Sequence, residues 1–114
     1  MNYKIIATRN FEKQLKRLSR KFPSLKDDLR KFEQKLTENP KMVISLGRNA
    51  YKVRLAVKSK AKGKSGGFRI ITYIELNIVI NDLSNIFLLS IYDKSETESI
   101  SNSELRKLID NKLV

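Results

Sequence analysis

YKVRLAVKSKAKGKSGGFR, residues 51–69, combines the alternation of a half-buried β-strand with seven basic residues and no acidic one. In a strand, successive side chains point to opposite faces. Every other residue at the start of this stretch is apolar: Tyr51, Val53, Leu55 and Val57. The residues between them are mostly cationic: Lys52, Arg54, Ala56 and Lys58. We therefore predict a strand with one face in a core and the other presenting cations.

The length and charge of the chain limit what it can be. Its 114 residues have room for one domain, so we predict a single domain over residues 1–114. The formal net charge is +12, from 24 Lys and Arg against 12 Asp and Glu. A balance this basic indicates an anionic partner, most often nucleic acid. The alternative is a basic surface that only keeps the protein soluble.

Two residue types are absent, and their absence excludes several kinds of chemistry. Without cysteine there are no disulfides and no thiolate metal sites. Without histidine, the usual metal ligand and the usual general base are also missing. We expect no metal and no cofactor, and any catalysis must use Lys, Arg, Tyr, Ser or carboxylates. The chain has no signal-peptide pattern and no apolar run of membrane-spanning length, which predicts a cytoplasmic protein with no membrane partner.

The first third of the chain predicts a strand and a helical hairpin. Tyr3–Ala7 is rich in β-formers and is predicted to be the first strand. Thr8 or Asn10 then caps a helix with this apolar stripe: Phe11, Leu15, Leu18 and Phe22. Ser24 and Asp27 resemble a capping box that opens a second helix. Its stripe has the same spacing: Leu25, Leu29, Phe32 and Leu36.

The middle of the chain is predicted to contain two loops around one strand. Residues 41–49 are predicted to be a loop that leads into the strand beginning near Ala50. Residues 58–67 have no apolar period, and we expect a mobile basic loop there. Gly63-Lys64-Ser65 is superficially like a phosphate-binding loop, but the Walker pattern needs a glycine where the chain has Lys58. The sequence therefore argues against a nucleoside-triphosphatase.

The last third predicts two strands and a helix. Residues 68–80 and 86–92 are β-rich, with a predicted turn at residues 81–85. Ser101 and Glu104 form a second capping box, which opens a short C-terminal helix. The predicted order is β-α-α-β-β-β-α. We predict the α+β class: a single two-layer domain in which the N-terminal strand and the helical hairpin pack on an antiparallel sheet, with the first strand at an edge.

Three segments in this order of elements carry a family resemblance. They are FEKQLKRLSRKFPSLKDDL, YKVRLAVKSKAKGKSGGFRIITY and LLSIYDKSE. Together they resemble the RelE/ParE superfamily of bacterial type II toxins, and most closely its HigB-like, RelE-type branch. Toxins of this kind enter the ribosomal A site and cut messenger RNA, and an antitoxin encoded beside them holds them inactive. The resemblance thus implies an endoribonuclease whose partners are a cognate antitoxin, mRNA and ribosomal RNA.

The resemblance also implies a metal-independent mechanism in which the 2′-hydroxyl of the RNA attacks the adjacent phosphate. The protein then supplies a base, charge stabilisation and an acid. Lys52 matches the first cation of the Y-K-x-K/R-L strand motif and is the implied base. Arg54 matches the second cation and is the implied phosphate stabiliser. Arg69 matches the Arg of a Gly-aromatic-Arg motif that grips the scissile phosphate, and Lys94 matches a basic position that assists the leaving group or the phosphate.

The chain departs from the family pattern at one aromatic position. A tyrosine that stacks on a base in the best-known members aligns here near Ile100, and Tyr92 in the Y-D-K segment is its candidate replacement. A packing role for Tyr92 is the alternative. Four loop lysines are predicted to contact the backbone of ribosomal RNA: Lys58, Lys60, Lys62 and Lys64.

Other interpretations of these residues and of the function remain open at this stage. Lys52 and Arg54 could be a solvated strand face, and Arg69 could form an ion pair with Glu75 or Asp93. The loop lysines could form a diffuse electrostatic patch. The alternative functions are a ParE-like poison of DNA gyrase and a non-enzymatic RNA-binding module.

Overall fold

The computed structural model describes residues 2–38, 44–60, 67–76 and 82–113. Its elements are β1 (Asn2–Ala7), α1 (Arg9–Lys21), α2 (Leu25–Glu38), β2 (Ile44–Gly47), β3 (Ala50–Leu55), β4 (Phe68–Leu76), β5 (Leu83–Asp93) and α3 (Asn102–Asp110). The strands form one sheet in the order β1-β5-β4-β3-β2. Strands β3, β4 and β5 form an antiparallel meander, and β1 lies at an edge, parallel to β5. The predicted α+β class, meander and edge position are confirmed.

Helices α1 and α2 cover one face of the sheet. Helix α1 begins after Thr8, whose Oγ1 accepts a hydrogen bond from the Phe11 N–H and donates one to the Leu88 carbonyl at 2.9 Å. The core cluster on this face contains Phe11, Leu18, Leu25, Leu29, Phe32, Leu36, Val53, Leu55, Val57, Phe68, Ile70, Ile86, Leu88 and Ile91. Both helical stripes therefore pack where their spacing predicts. None of the helices in the described ranges is long and apolar enough to span a membrane.

Helix α3 packs on the opposite face, a position that the sequence did not predict. It begins with the capping box predicted at Ser101 and Glu104. The buried cluster on this second face contains Ala50, Ile71, Phe87, Leu89, Tyr92 and Leu105. The sheet thus has a large core under the helical hairpin and a smaller one under α3.

Two local predictions were wrong at the ends of strands. Part of the loop predicted over residues 41–49 is strand β2, which pairs with β3, while residues 41–43 lie outside the described residues. Arg48 and Asn49 have φ values of +55° and +64°, as the central residues of a tight hairpin turn need. The turn predicted at residues 81–85 is also shorter, because β5 already begins at Leu83. Strand β4 is described only to Leu76, so residues 77–80 of its predicted range lie outside the described residues.

The first predicted capping box is also wrong. The Ser24 hydroxyl donates to Asp28 Oδ2 at 2.7 Å rather than capping α2 together with Asp27. Asp27 instead forms an exposed ion pair with Arg30 at 3.1 Å. The two acids are adjacent, so the sequence pattern alone did not distinguish them.

Gly67, which precedes β4, allows a close approach that a larger residue prevents. Its φ is +54°, and a Cβ there would lie 3.2 Å from the Leu55 carbonyl oxygen. Gly47 is a matched control: its φ is +82°, but no atom lies within 4 Å of a Cβ built on it. We expect Gly47→Ala to cost about 1 kcal/mol of unfolding free energy and Gly67→Ala about 2 kcal/mol, because only the latter also displaces the β3 backbone. Urea unfolding measures both, and an equal cost would contradict the close approach at Gly67.

Candidate active site

The register of the strands puts three of the four predicted catalytic cations on one face of the sheet. Arg54 of β3 lies opposite Arg69 of β4, which lies opposite Tyr92 of β5. Side chains directly opposite each other in an antiparallel pair have Cβ atoms about 5 Å apart. Lys52 is two residues before Arg54 and therefore shares its face. Because the intervening Val53 is buried under the helical hairpin, this cationic face is the one opposite α1 and α2.

The three cations differ in how far solvent reaches them. Arg54 is exposed and Lys52 is half-buried, whereas Arg69 is only 6% exposed. The Nη1 of Arg69 donates a hydrogen bond to the Phe68 carbonyl oxygen at 3.2 Å. An incoming anion therefore meets Arg54 and Lys52 first, and contact with Arg69 requires its guanidinium to move.

Tyr92, the candidate stacking residue, is 5% exposed and packs in the cluster under α3. Its hydroxyl is buried with no hydrogen-bond partner among the described residues. Burial raises the pKa of Tyr92, and the nearby charge of Arg69 partly opposes that shift. Ile100 is half-buried against the same cluster. Stacking by Tyr92 stays a prediction, and it requires the ring to leave this cluster.

Lys94 lies at the same end of the sheet as Arg69. It directly follows β5, its side chain is exposed, and its N–H donates to the Gly67 carbonyl oxygen at 3.0 Å. Strand pairing places the preceding residue, Asp93, opposite Phe68. The end of β5 is thus fastened to the start of β4, next to Arg69.

The four lysines predicted to contact RNA have different surroundings. Lys62 and Lys64 lie outside the described residues. Lys58 is exposed. The side chain of Lys60 is only 10% exposed and forms an ion pair with Asp93. A contact between Lys60 and RNA stays a prediction, and it requires this ion pair to break.

Asp93 anchors the base of the basic loop. It is 2% exposed, and its Oδ1 accepts hydrogen bonds from Lys60 Nζ, from the Ser95 N–H at 3.0 Å and from the Ser95 hydroxyl at 2.8 Å. Burial alone would raise the pKa of Asp93, but the bonds from Lys60 and Ser95 outweigh it, so the pKa is lowered. The Lys60 nitrogen also lies 5.5 Å from the centre of the Phe68 ring. Lys60 therefore has a structural role at this point of the fold.

A second anchor holds the residues just before Lys60. Asp28 Oδ2 accepts hydrogen bonds from the Ser24 hydroxyl at 2.7 Å and from the Lys58 N–H at 3.0 Å. The Ser59 N–H donates to the Ser24 hydroxyl at 2.8 Å, and the Ser24 N–H donates to the Ser59 hydroxyl at 3.1 Å. Residues 58–60 are therefore fastened to the start of α2 on one side and to the end of β5 on the other.

The sequence pattern predicts no role for Asp93 beyond that of an alternative partner for Arg69. Asp93 pairs with Lys60, and the other candidate, Glu75, pairs with Lys112 at 3.7 Å. One signal was available: Asp93 directly follows a strand that is apolar on both faces, and a carboxylate buried there needs a cation.

Comparisons with known proteins support the fold. No protein-family profile matches the sequence. A solved structure of a mutant of the E. coli toxin RelE in the free state matches with a TM-score of 0.56 and 16% sequence identity. The match covers 99% of this chain and 96% of that chain. Likeness at this identity demonstrates a shared fold, so the expected RelE-like fold is confirmed, whereas the HigB-like branch stays a prediction.

The Asp93 anchor predicts a pH-dependent stability. Because the folded-state pKa of Asp93 is lowered, the ionised carboxylate stabilises the fold above the unfolded pKa of about 3.9, and this contribution is lost as the pH falls through the folded pKa. We expect Asp93→Asn to cost about 3 kcal/mol at neutral pH, since it leaves Lys60 without its counterion, and to flatten the acid-induced loss of stability. Urea unfolding at neutral and acid pH measures both effects.

The matched control is Asp27→Asn, which removes a carboxylate from the exposed Asp27–Arg30 pair. Its expected cost is below about 1 kcal/mol. Equal costs for the Asp93 and Asp27 variants would contradict the anchor.

The buried Tyr92 hydroxyl makes a further prediction. Because it has no hydrogen-bond partner among the described residues, Tyr92→Phe should change the unfolding free energy by less than about 1 kcal/mol. Tyr92→Ala should lower the unfolding free energy by about 3 kcal/mol, since removing the ring leaves a cavity under α3. Thermal or urea unfolding compares the two variants, and a loss above about 2 kcal/mol for Tyr92→Phe would demonstrate a bonded hydroxyl.

Proposed function

We propose that this protein is the toxin of a type II toxin–antitoxin system and that it acts as a ribosome-dependent endoribonuclease, cleaving mRNA in the A site. The observation that carries the proposal is the strand register, in which Lys52, Arg54 and Arg69 share one face of a RelE-like sheet. The net charge of +12 supports a polyanionic substrate.

The proposed reaction needs no group that the chain lacks. The RNA 2′-hydroxyl attacks the adjacent phosphorus and the bond to the 5′-oxygen breaks, which leaves a 2′,3′-cyclic phosphate and a 5′-hydroxyl. Lys52, acting as the neutral amine, accepts the proton of the 2′-hydroxyl, and Lys94, acting as the ammonium, protonates the departing 5′-oxygen. Arg54 and Arg69 stabilise the charge that develops on the phosphorane, because a guanidinium binds two phosphate oxygens at once.

In this proposal Arg69 acts after the substrate has bound. Its guanidinium now bonds to the neutral carbonyl of Phe68. A hydrogen bond to a phosphate is charge-assisted and stronger than a bond to a neutral carbonyl, so a bound phosphate favours its release from Phe68. Arg54, which is exposed, makes the first contact.

The proposal includes a cognate antitoxin. A protein with a net charge of +12 is complementary to an acidic partner segment. An acidic segment bound to the cationic face would compete with RNA for it. The antitoxin would then inhibit the toxin both by neutralising its positive charge and by covering the site.

The test uses bacterial ribosomes that are translating an mRNA and whose A site holds no tRNA. The wild-type protein should cut within that codon, and the 5′ fragment should end in a 2′,3′-cyclic phosphate. Arg54→Gln should slow the cut by about 100-fold or more, because it removes a charge that acts in the transition state. Since Arg54 is exposed, this variant should fold normally, which circular dichroism verifies.

Arg69→Gln tests the second guanidinium and should also slow the cut by about 100-fold or more. Because Arg69 is buried, its unfolding free energy must be measured beside its activity. The control is Arg9→Gln, which removes an exposed arginine at the start of α1 and should leave the rate unchanged. Normal translation with induced DNA damage would instead indicate a gyrase poison, and salt-dependent binding of intact RNA would indicate a binding module.

A further inference from the structure

A groove of about 360 Å³ lies between α2 and the edge of β3. Four cations line it: Lys31, Lys35, Arg54 and Lys58. Strand β2 pairs with β3 only as far as Lys52, so the later residues of β3 have no strand partner on this side among the described residues. The volume of the groove is in the range of sites that hold small ligands, about 300–1,000 Å³.

Nearby acidic residues neutralise only part of the positive charge of the groove. Asp28 is the one acidic residue among the described residues that line it. Its Oδ2 already accepts hydrogen bonds from the Ser24 hydroxyl and the Lys58 N–H. Four cations thus surround a cavity whose one carboxylate is occupied in holding the chain together, and this arrangement favours an anionic ligand.

Two of these cations lie against each other. The pKa of Lys31 is lowered, chiefly by the neighbouring side chain and charge of Lys58, while the charges of Asp28 and Asp27 partly oppose this shift. Two ammonium groups this close repel when both are protonated. An anion placed between them removes the repulsion and restores the pKa of Lys31 toward its ordinary value.

The apolar residues of the groove indicate which kind of anion fits. Phe32 and Leu55 line it but are only 5% and 6% exposed. A partner helix gains affinity mainly by covering exposed apolar surface, and these two residues offer little of it. Four cations around a cavity whose two large apolar side chains are buried fit phosphate groups better than the apolar stripe of an amphipathic helix.

We propose that this groove is a phosphate-binding subsite for single-stranded RNA, joined by Arg54 to the face that carries Lys52 and Arg69. Arg54 belongs to both places, because it lines the groove together with Lys31 and lies opposite Arg69 in the sheet. The subsite holds a phosphate next to the one at the cationic face. The choice of RNA rests on the proposed function, whereas binding itself requires no cleavage.

The first test measures binding of a fluorescein-labelled 2′-O-methyl oligoribonucleotide, which cannot be cleaved because its 2′-oxygen is blocked. The variant is Lys31→Gln/Lys35→Gln, which removes two groove cations one helical turn apart on α2. The slope of log K against log salt should become shallower by about 1.4, from two contacts at about 0.7 each, and binding at 0.1 M salt should weaken on the order of twentyfold.

The matched control is Lys16→Gln/Arg20→Gln, which removes two exposed charges at the same spacing on α1. It should leave the salt slope unchanged. Equal losses in the two double variants would overturn the subsite in favour of a diffuse patch. Unchanged oligonucleotide binding by the groove variant would overturn it as well, and binding of an acidic peptide that depends on Lys31 and Lys35 would then assign the groove to a protein partner.

The second test follows the Lys31 side chain by NMR in a pH titration. Its pKa should rise when inorganic phosphate or the oligonucleotide is added, and it should also rise in Lys58→Gln. An unchanged Lys31 pKa with saturating oligonucleotide would overturn the subsite. Neither test uses ribosomes, so the two proposals can fail separately. If the wild-type protein does not cut mRNA in the A site, only the proposed function is refuted. If it cuts mRNA but oligonucleotide binding does not depend on Lys31 and Lys35, only the subsite is refuted.

Discussion

The pairing of β4 with its two neighbours determines which side chains this protein buries and which it presents. Ile70 lies opposite Val53 of β3 and opposite Ile91 of β5, so three apolar side chains form a row under the helical hairpin. If one strand slipped by one residue against its neighbour, its apolar side chains would turn to the other face of the sheet. In β3 such a slip would also turn Lys52 and Arg54 toward the core, where an unpaired charge is costly. Hydrophobic burial and charge desolvation therefore enforce the same register.

An irregularity in β5 decides where Tyr92 points. The register between β4 and β5 shifts between Ile71 and Thr72, so β5 contains one extra residue there. Leu89 and Tyr92 consequently belong to the same cluster although three positions separate them, whereas regular alternation would put them on opposite faces. The bulge thus brings Tyr92 beside Arg69.

A side chain of α1 satisfies the backbone where this bulge interrupts the ladder. Gln14 Oε1 accepts hydrogen bonds from the Ile91 N–H at 2.9 Å and from the Ser90 hydroxyl at 3.0 Å. Buried backbone donors need such partners, so the placement of α1 and the geometry of β5 are coupled. The end of β5, where Tyr92 and Asp93 lie, depends on that coupling.

Features with a local physical signal could be predicted from the sequence. The two helical stripes, the Ser101 capping box and the alternation around Lys52 each follow from a period or a short motif, and the structure contains all three. Strand β2 could not be predicted, because its four residues carry little periodic signal and the turn residues that follow it are typical of a loop. The bulge at Leu89 and the approach of Lys31 to Lys58 depend on contacts between distant segments, which no local pattern encodes.

The charged edge of β3 has a consequence for the whole molecule. An unpaired strand edge is a template for pairing with another chain, and charged side chains on such an edge oppose that pairing. Arg54 lies where β3 has no strand partner among the described residues, with Lys31 and Lys58 beside it in the groove. A second positively charged copy of this chain is repelled there, whereas a polyanion is attracted. The same cations therefore oppose pairing with a second copy of this chain and favour contact with phosphate groups.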